Sequence, residues 1–235
     1  MFYSNTTGMA VYSTPEISIR RDTAVCVTGH REKFIKPYRN NPAYFDTTCT
    51  ALKLMLERYI EIVMEKGYTT LISGLAEGVD LWAAERVLLR KRFDKDCRLI
   101  GVMPYLKHSA AFSEENMNLL RLVERHSDLL ITTCDKRNMT YGKNSTPYTD
   151  PNVYKRRNYY IVDNSSVVIA FCSDDNLHSG TAQTVRYAQR LNRPVFSFGI
   201  EDVHALLDKT GFDKTAIYME LKKIELDVPV ADTQK

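Results

Sequence analysis

The chain has 235 residues, and its 32 Lys and Arg against 29 Asp and Glu leave a net charge of +3. Hydrophobic residues at 44% suffice for a sizeable core, which excludes a wholly disordered chain, and no apolar run reaches the ~18 residues of a membrane span. The small charge surplus disfavours nucleic acid as a partner, and the start of the chain has no basic stretch leading into an apolar one, so no secretory signal is expected.

Residues 1–21 read as an N-terminal extension. A first buried strand is predicted over 24–28, ending in Thr28, Gly29, His30 and Arg31. Leu52, Met55, Leu56, Tyr59, Ile60 and Val63 follow helical spacing and stop at Gly67, a natural C-terminal cap. A second strand, 69–73, runs into Ser73, Gly74, Leu75, Ala76, Glu77, Gly78, Val79 and Asp80. A helical stripe of Leu81, Ala84 and Leu88 follows. Further strands are predicted over 98–103 and 129–133. The stretch from Cys134 to Pro151 reads as a long loop of the kind that covers a ligand. A helix from Lys155 leads into a fifth strand, 167–172. Ser179, Gly180 and Thr181 then open a helix carrying Gln183, Thr184, Tyr187 and Leu191. The last strand is 194–198, and 201–235 form a tail with two helical stretches.

Uninterrupted apolar strands alternating with amphipathic helices define an α/β fold. The expected form is a three-layer α/β/α sandwich on a mostly parallel central sheet, spanning residues 22–200. The five cysteines match no metal or redox spacing, so no metal or cofactor is expected and a reducing cytoplasm is the expected compartment.

Ligands of open α/β sheets bind at the carboxyl ends of the strands. Three of those ends carry glycines, hydroxyls and backbone amides, the composition of a phosphate cradle. It is neither a Walker A loop nor a G-x-G-x-x-G fingerprint. Arg31 is the expected counter-charge, as a guanidinium clamps phosphate in two-point fashion, with an ordinary solvated arginine as the alternative. His30 reads as a hydrogen-bonding or stacking group. Asp80 is read first as a helix N-cap and second as a sugar contact. Trp82 reads as core. Arg157 and Asn158 are polar positions among apolar ones, whereas Lys155 and Arg156 read as a solvated face.

Taken together, Val27 to Arg31, Ile72 to Glu85, Arg157 to Asp163 with the following VVIAF, and Ser179 to Ala188 resemble the YpsA-like branch of the SLOG superfamily. The resemblance implies a Rossmann-like domain that binds nucleotides or nucleotide-derived molecules at these strand ends. It also implies distant kinship to the Lonely guy phosphoribohydrolases, which carry a Gly-Thr-x-x-Glu motif whose glutamate acts near the ribose. Gly180 and Thr181 match that motif, but Thr184 stands at the glutamate position. The favoured expectation is therefore a sensor or sequestering module for a nucleotide-derived small molecule. Its phosphate would lie near Gly29, Gly74 and Gly180, with hydroxyl contacts from Thr28, Ser73, Ser179 and Thr181. An N-glycosidic hydrolase using Glu77, Asp80 or Glu85 is second, and an interaction protein with a vestigial pocket third. Pairing into a homo-oligomer is left open.

Overall fold

All six predicted runs form strands, with bounds within a residue of those read from the sequence. In the computed structural model, which describes residues 1–172 and 179–233, they are β3 (Ala24–Gly29), β4 (Thr70–Ser73), β5 (Arg98–Met103), β6 (Leu129–Thr132), β7 (Val167–Phe171) and β8 (Val195–Phe198). Two short strands precede them, β1 (Phe2–Tyr3) and β2 (Ala10–Ser13). Seven α-helices lie among the described residues: α1 (Phe45–Glu65), α2 (Val79–Lys91), α3 (Glu114–His126), α4 (Val153–Asp163), α5 (Gly180–Arg190), α6 (Ile200–Thr210) and α7 (Lys214–Leu221).

The strands pair in the order β1-β2-β6-β5-β4-β3-β7-β8, parallel throughout except for β1 against β2. Alternation along each strand divides the core. Val25 and Val27 of β3 pack with α1, α2, α3, α6 and α7, while Ala24 and Cys26 pack with Ile161 and Val162 of α4 and Ala188 of α5. Strands covered on both faces need no polar alternate positions, which is why β3 and β7 are apolar almost without interruption. The result is a Rossmann-like α/β/α sandwich.

Residues assigned to the N-terminal extension contribute to the sheet. Tyr12 and Ser13 of β2 pair in parallel with Ile131 and Thr132 of β6. The turn between β1 and β2 is pinned by Glu124 of α3, which accepts from Ser4 Oγ at 2.5 Å and Thr7 Oγ1 at 2.6 Å. After α7 the chain returns to α1, where Ala231 N donates to Lys66 O at 2.9 Å and Val228 is buried.

Candidate functional site

The chain winds outward from β3 through β4 and β5 to β6, then returns to place β7 on the other side of β3. The strand order reverses between β3 and β7, and a crevice forms at such a reversal because the two flanking loops part to opposite faces of the sheet. A cleft of about 620 Å³ opens there.

β3 delivers Thr28, Gly29, His30 and Arg31 to this cleft. Gly29 is dictated by packing, as a Cβ there would fall 2.5 Å from the Val79 side chain at the start of α2. His30 is buried edge-on against Phe171 of β7, with ring centroids 5.8 Å apart. Burial lowers its pKa and favours the neutral ring. Arg31 is half-buried, its guanidinium 5.4 Å from the centroid of the Tyr154 ring.

After β4, Ser73 is fully buried. Its hydroxyl donates to Asp80 O at 2.8 Å and accepts from Leu75 N at 3.1 Å. The space beside Gly74 is filled by the Arg157 guanidinium, whose Nη1 lies 1.3 Å from where a Cβ would stand. Gly78 adopts φ +83° and abuts the backbone of residues 30–32, with Glu32 N 2.5 Å from a Cβ position. Ser73, Gly74 and Gly78 therefore sit in the packing beneath the cleft rather than on its wall. The N-cap of α2 is Gly78, so Asp80 does not serve as the cap. It is buried and accepts from Arg157 Nη1 at 2.9 Å. Burial raises the Asp80 pKa, while Arg157 and the Ala76 and Gly29 amides oppose the rise.

α4 and α5 form the far wall. Asn158 Nδ2 donates to Thr184 Oγ1 at 3.0 Å, and Thr184 donates to Gly180 O at 2.7 Å. Thr184 thus links α5 to α4. Ser179 caps α5 by accepting from Ala182 N at 3.0 Å. The amides of Gly180 and Thr181 precede Gln183 N, which donates to Ser179 O at 3.0 Å, and so lack acceptors within the helix. Among the described residues, a Cβ on Gly180 would meet nothing closer than Asn158 Nδ2 at 3.8 Å.

Ten of the residues singled out in the sequence thus line one cleft: Thr28, Gly29, His30, Arg31, Asp80, Arg157, Asn158, Ser179, Gly180 and Thr181. Glu85 lies elsewhere, paired with Arg86 in a groove beside Trp82, and Glu77 lies in an adjoining pocket, accepting from Ser113 N. The long loop does reach the cleft, through Tyr141 and Pro151. Phe34, Ala76, Tyr154, Lys155 and Gln183 also line it and had not been singled out as site residues. Tyr154 precedes Arg157 and Asn158 by three and four positions, the helical spacing that places it on their face. Among the described lining residues, Asp80 is the one carboxylate, against Arg31, Lys155 and Arg157. No group of three or more His, Cys, Asp or Glu among the described residues is arranged to hold a metal ion. No helix among them is long and apolar enough to cross a membrane.

A doubly wound sheet whose strand order reverses beside a cleft at its carboxyl edge is a Rossmann-like domain. The model of the YspA SLOG family matches residues 25–202, and the chain belongs to that family. It is similar to a UPF0398 protein of Bacillus licheniformis, 20% identical over 193 residues that cover 80% of this chain and 97% of that protein. A UPF0398 protein of Macrococcus caseolyticus is 22% identical over 153 residues, covering 65% of this chain and 75% of that protein. Another, from Bacillus thuringiensis, is 23% identical over 151 residues, 64% and 74% of the two chains.

Proposed function

We propose that the cleft binds a nucleotide or nucleotide-derived small molecule, and that the protein acts as a sensor or sequestering module for it. The observation that carries this reading is the N-terminus of α5, where a Cβ on Gly180 would meet no described residue closer than 3.8 Å, on the wall of a cleft whose described charged residues are three cations and one paired carboxylate. Unpaired amides and the positive end of the helix favour an anion there, by up to ~2 kcal/mol in a partly buried setting. Arg31 supplies the counter-charge, and Thr181 and Asn158 supply neutral polar contacts. The free thiols of Cys26, Cys49, Cys97 and Cys134 fit the reducing cytoplasm as the compartment.

Binding is favoured over hydrolysis for a specific reason. A glycosidic hydrolase needs a carboxylate at the ribose. The one described carboxylate on the cleft wall, Asp80, is engaged by Arg157.

Isothermal titration with a panel of nucleoside mono-, di- and cyclic phosphates tests this reading. Arg31→Ala removes charge-assisted hydrogen bonds worth about 1.5–3 kcal/mol, a loss of roughly 10- to 100-fold in affinity. Gly180→Val places a branched side chain over the helix end and is expected to weaken binding at least as much. Unchanged affinity in both variants contradicts the proposal.

A further inference from the structure

Behind Arg31 and Tyr154 the cleft continues into a smaller pocket of about 130 Å³. The two spaces share Arg31, Ala76, Tyr154 and Arg157, so one ligand can occupy both. The pocket is close in size to the roughly 150 Å³ cavity that holds a benzene ring in a protein interior. Its walls combine four aromatic rings, Tyr105, His108, Phe112 and Tyr154, with the charged side chains of Arg31, Glu77, Lys107 and Arg157. His108 lies edge-on to both Tyr105 and Phe112, with centroids 6.5 Å and 5.7 Å away, and the Tyr105 and Tyr154 hydroxyls are 3.2 Å apart.

His108 is buried, and neither ring nitrogen makes a hydrogen bond of ordinary geometry among the described residues, although the Leu75 and Tyr105 backbones lie near enough to act on the ring as weak partners. Buried polar atoms without partners are rare, because each carries its desolvation penalty uncompensated. Burial, with the Arg157 and Arg31 charges beside it, lowers the His108 pKa to about 4. The ring is therefore neutral near pH 7 and offers one N–H donor and one acceptor. That pair complements the edge of a nitrogen heterocycle, which also presents a donor and an acceptor.

We propose that this pocket receives a nitrogen-containing aromatic ring, the base of the phosphate-bearing ligand assigned to the cleft. The inference rests on that assignment and adds where the base lies and which residues select it. The ligand then runs from the α5 N-terminus past Arg31, with its base enclosed between Tyr154 and Phe112 and its edge read by His108.

The test compares the full chain's affinity for adenosine, guanosine, cytidine and uridine 5′-monophosphates with its affinity for ribose 5-phosphate. At least one nucleotide is expected to bind tenfold or more tightly than ribose 5-phosphate. Ala111→Leu fills the pocket from an exposed wall and should abolish that preference while leaving ribose 5-phosphate binding unchanged. His108→Phe keeps an aromatic ring in place and should lower the preference by removing the donor and acceptor. Ribose 5-phosphate binding as tightly as all four nucleotides, a preference that survives Ala111→Leu, or one undiminished in His108→Phe overturns this inference and leaves the phosphate site standing. Absence of binding by all five compounds overturns both.

Discussion

Gly74 owes its place to Arg157. The guanidinium occupies the volume a side chain at position 74 would need, with Asp80 Oδ2 2.5 Å from the same point. Breaking a buried ion pair by removing one partner costs about 3–5 kcal/mol, since the other charge stays buried. Gly74→Ala should displace the guanidinium and destabilise by a comparable amount in urea unfolding. A loss below about 1 kcal/mol, the scale of an ordinary substitution, contradicts that account. The sequence reading had assigned Gly74 to a phosphate, because a glycine at a strand end serves either purpose. Nothing in the local spacing of 73–80 shows that residue 157 arrives over residue 74. His108 carries a second residue-scale prediction. Its folded pKa of about 4 lies below the ~6.5 of an unfolded histidine, so its contribution to stability is present above pH 6.5. That contribution is lost as pH falls toward 4. Thermal unfolding of His108→Phe across this range should fall less steeply than that of the wild type, and parallel profiles contradict the assignment.

At the scale of elements, the apolar strands were legible because burial on both faces leaves an uninterrupted signature. α3 was not, because its buried stripe includes Asn116 and Glu124 beside Leu120 and Val123 and so reads as a solvated segment. The same Glu124 explains how so short a pair as β1 and β2 stays docked. Burial raises its pKa, and the Ser4 and Thr7 hydroxyls partly offset the rise. A raised carboxyl pKa means that stability is greatest below the unfolded value, near 4.3, and declines as pH rises through the folded one. Glu124→Gln keeps an acceptor for both hydroxyls and avoids burying a charge. It should be more stable than the wild type at pH 7.5, with the gap narrowing toward pH 4.5. A gap of constant size contradicts the linkage. Tyr154 illustrates a different limit: its helical spacing to Arg157 was visible, but only the packed helix shows that this face turns toward β3.

For the whole molecule, the alternation of strands and helices announced the fold class, whereas strand order was not encoded in any local pattern. The reversal between β3 and β7 shapes the cleft. It brings residues 28–31 and 179–181, about 150 positions apart in sequence, to opposite sides of one crevice. Because the proposed anion site combines an exposed helix end with a half-buried arginine, its affinity should fall as salt shortens the ~10 Å screening length of 0.1 M solution. Titrations at 0.05 and 0.5 M salt should show weaker binding at the higher value, and salt-independent affinity contradicts an electrostatic site. The most direct measurement incubates the protein with the nucleotide panel and quantifies retained nucleotide and released base by mass spectrometry. Retention of one intact nucleotide per chain, without base release, is the predicted result. Catalytic release of base that disappears in Asp80→Asn would make the protein an enzyme and contradict the reading of its cleft as a binding site.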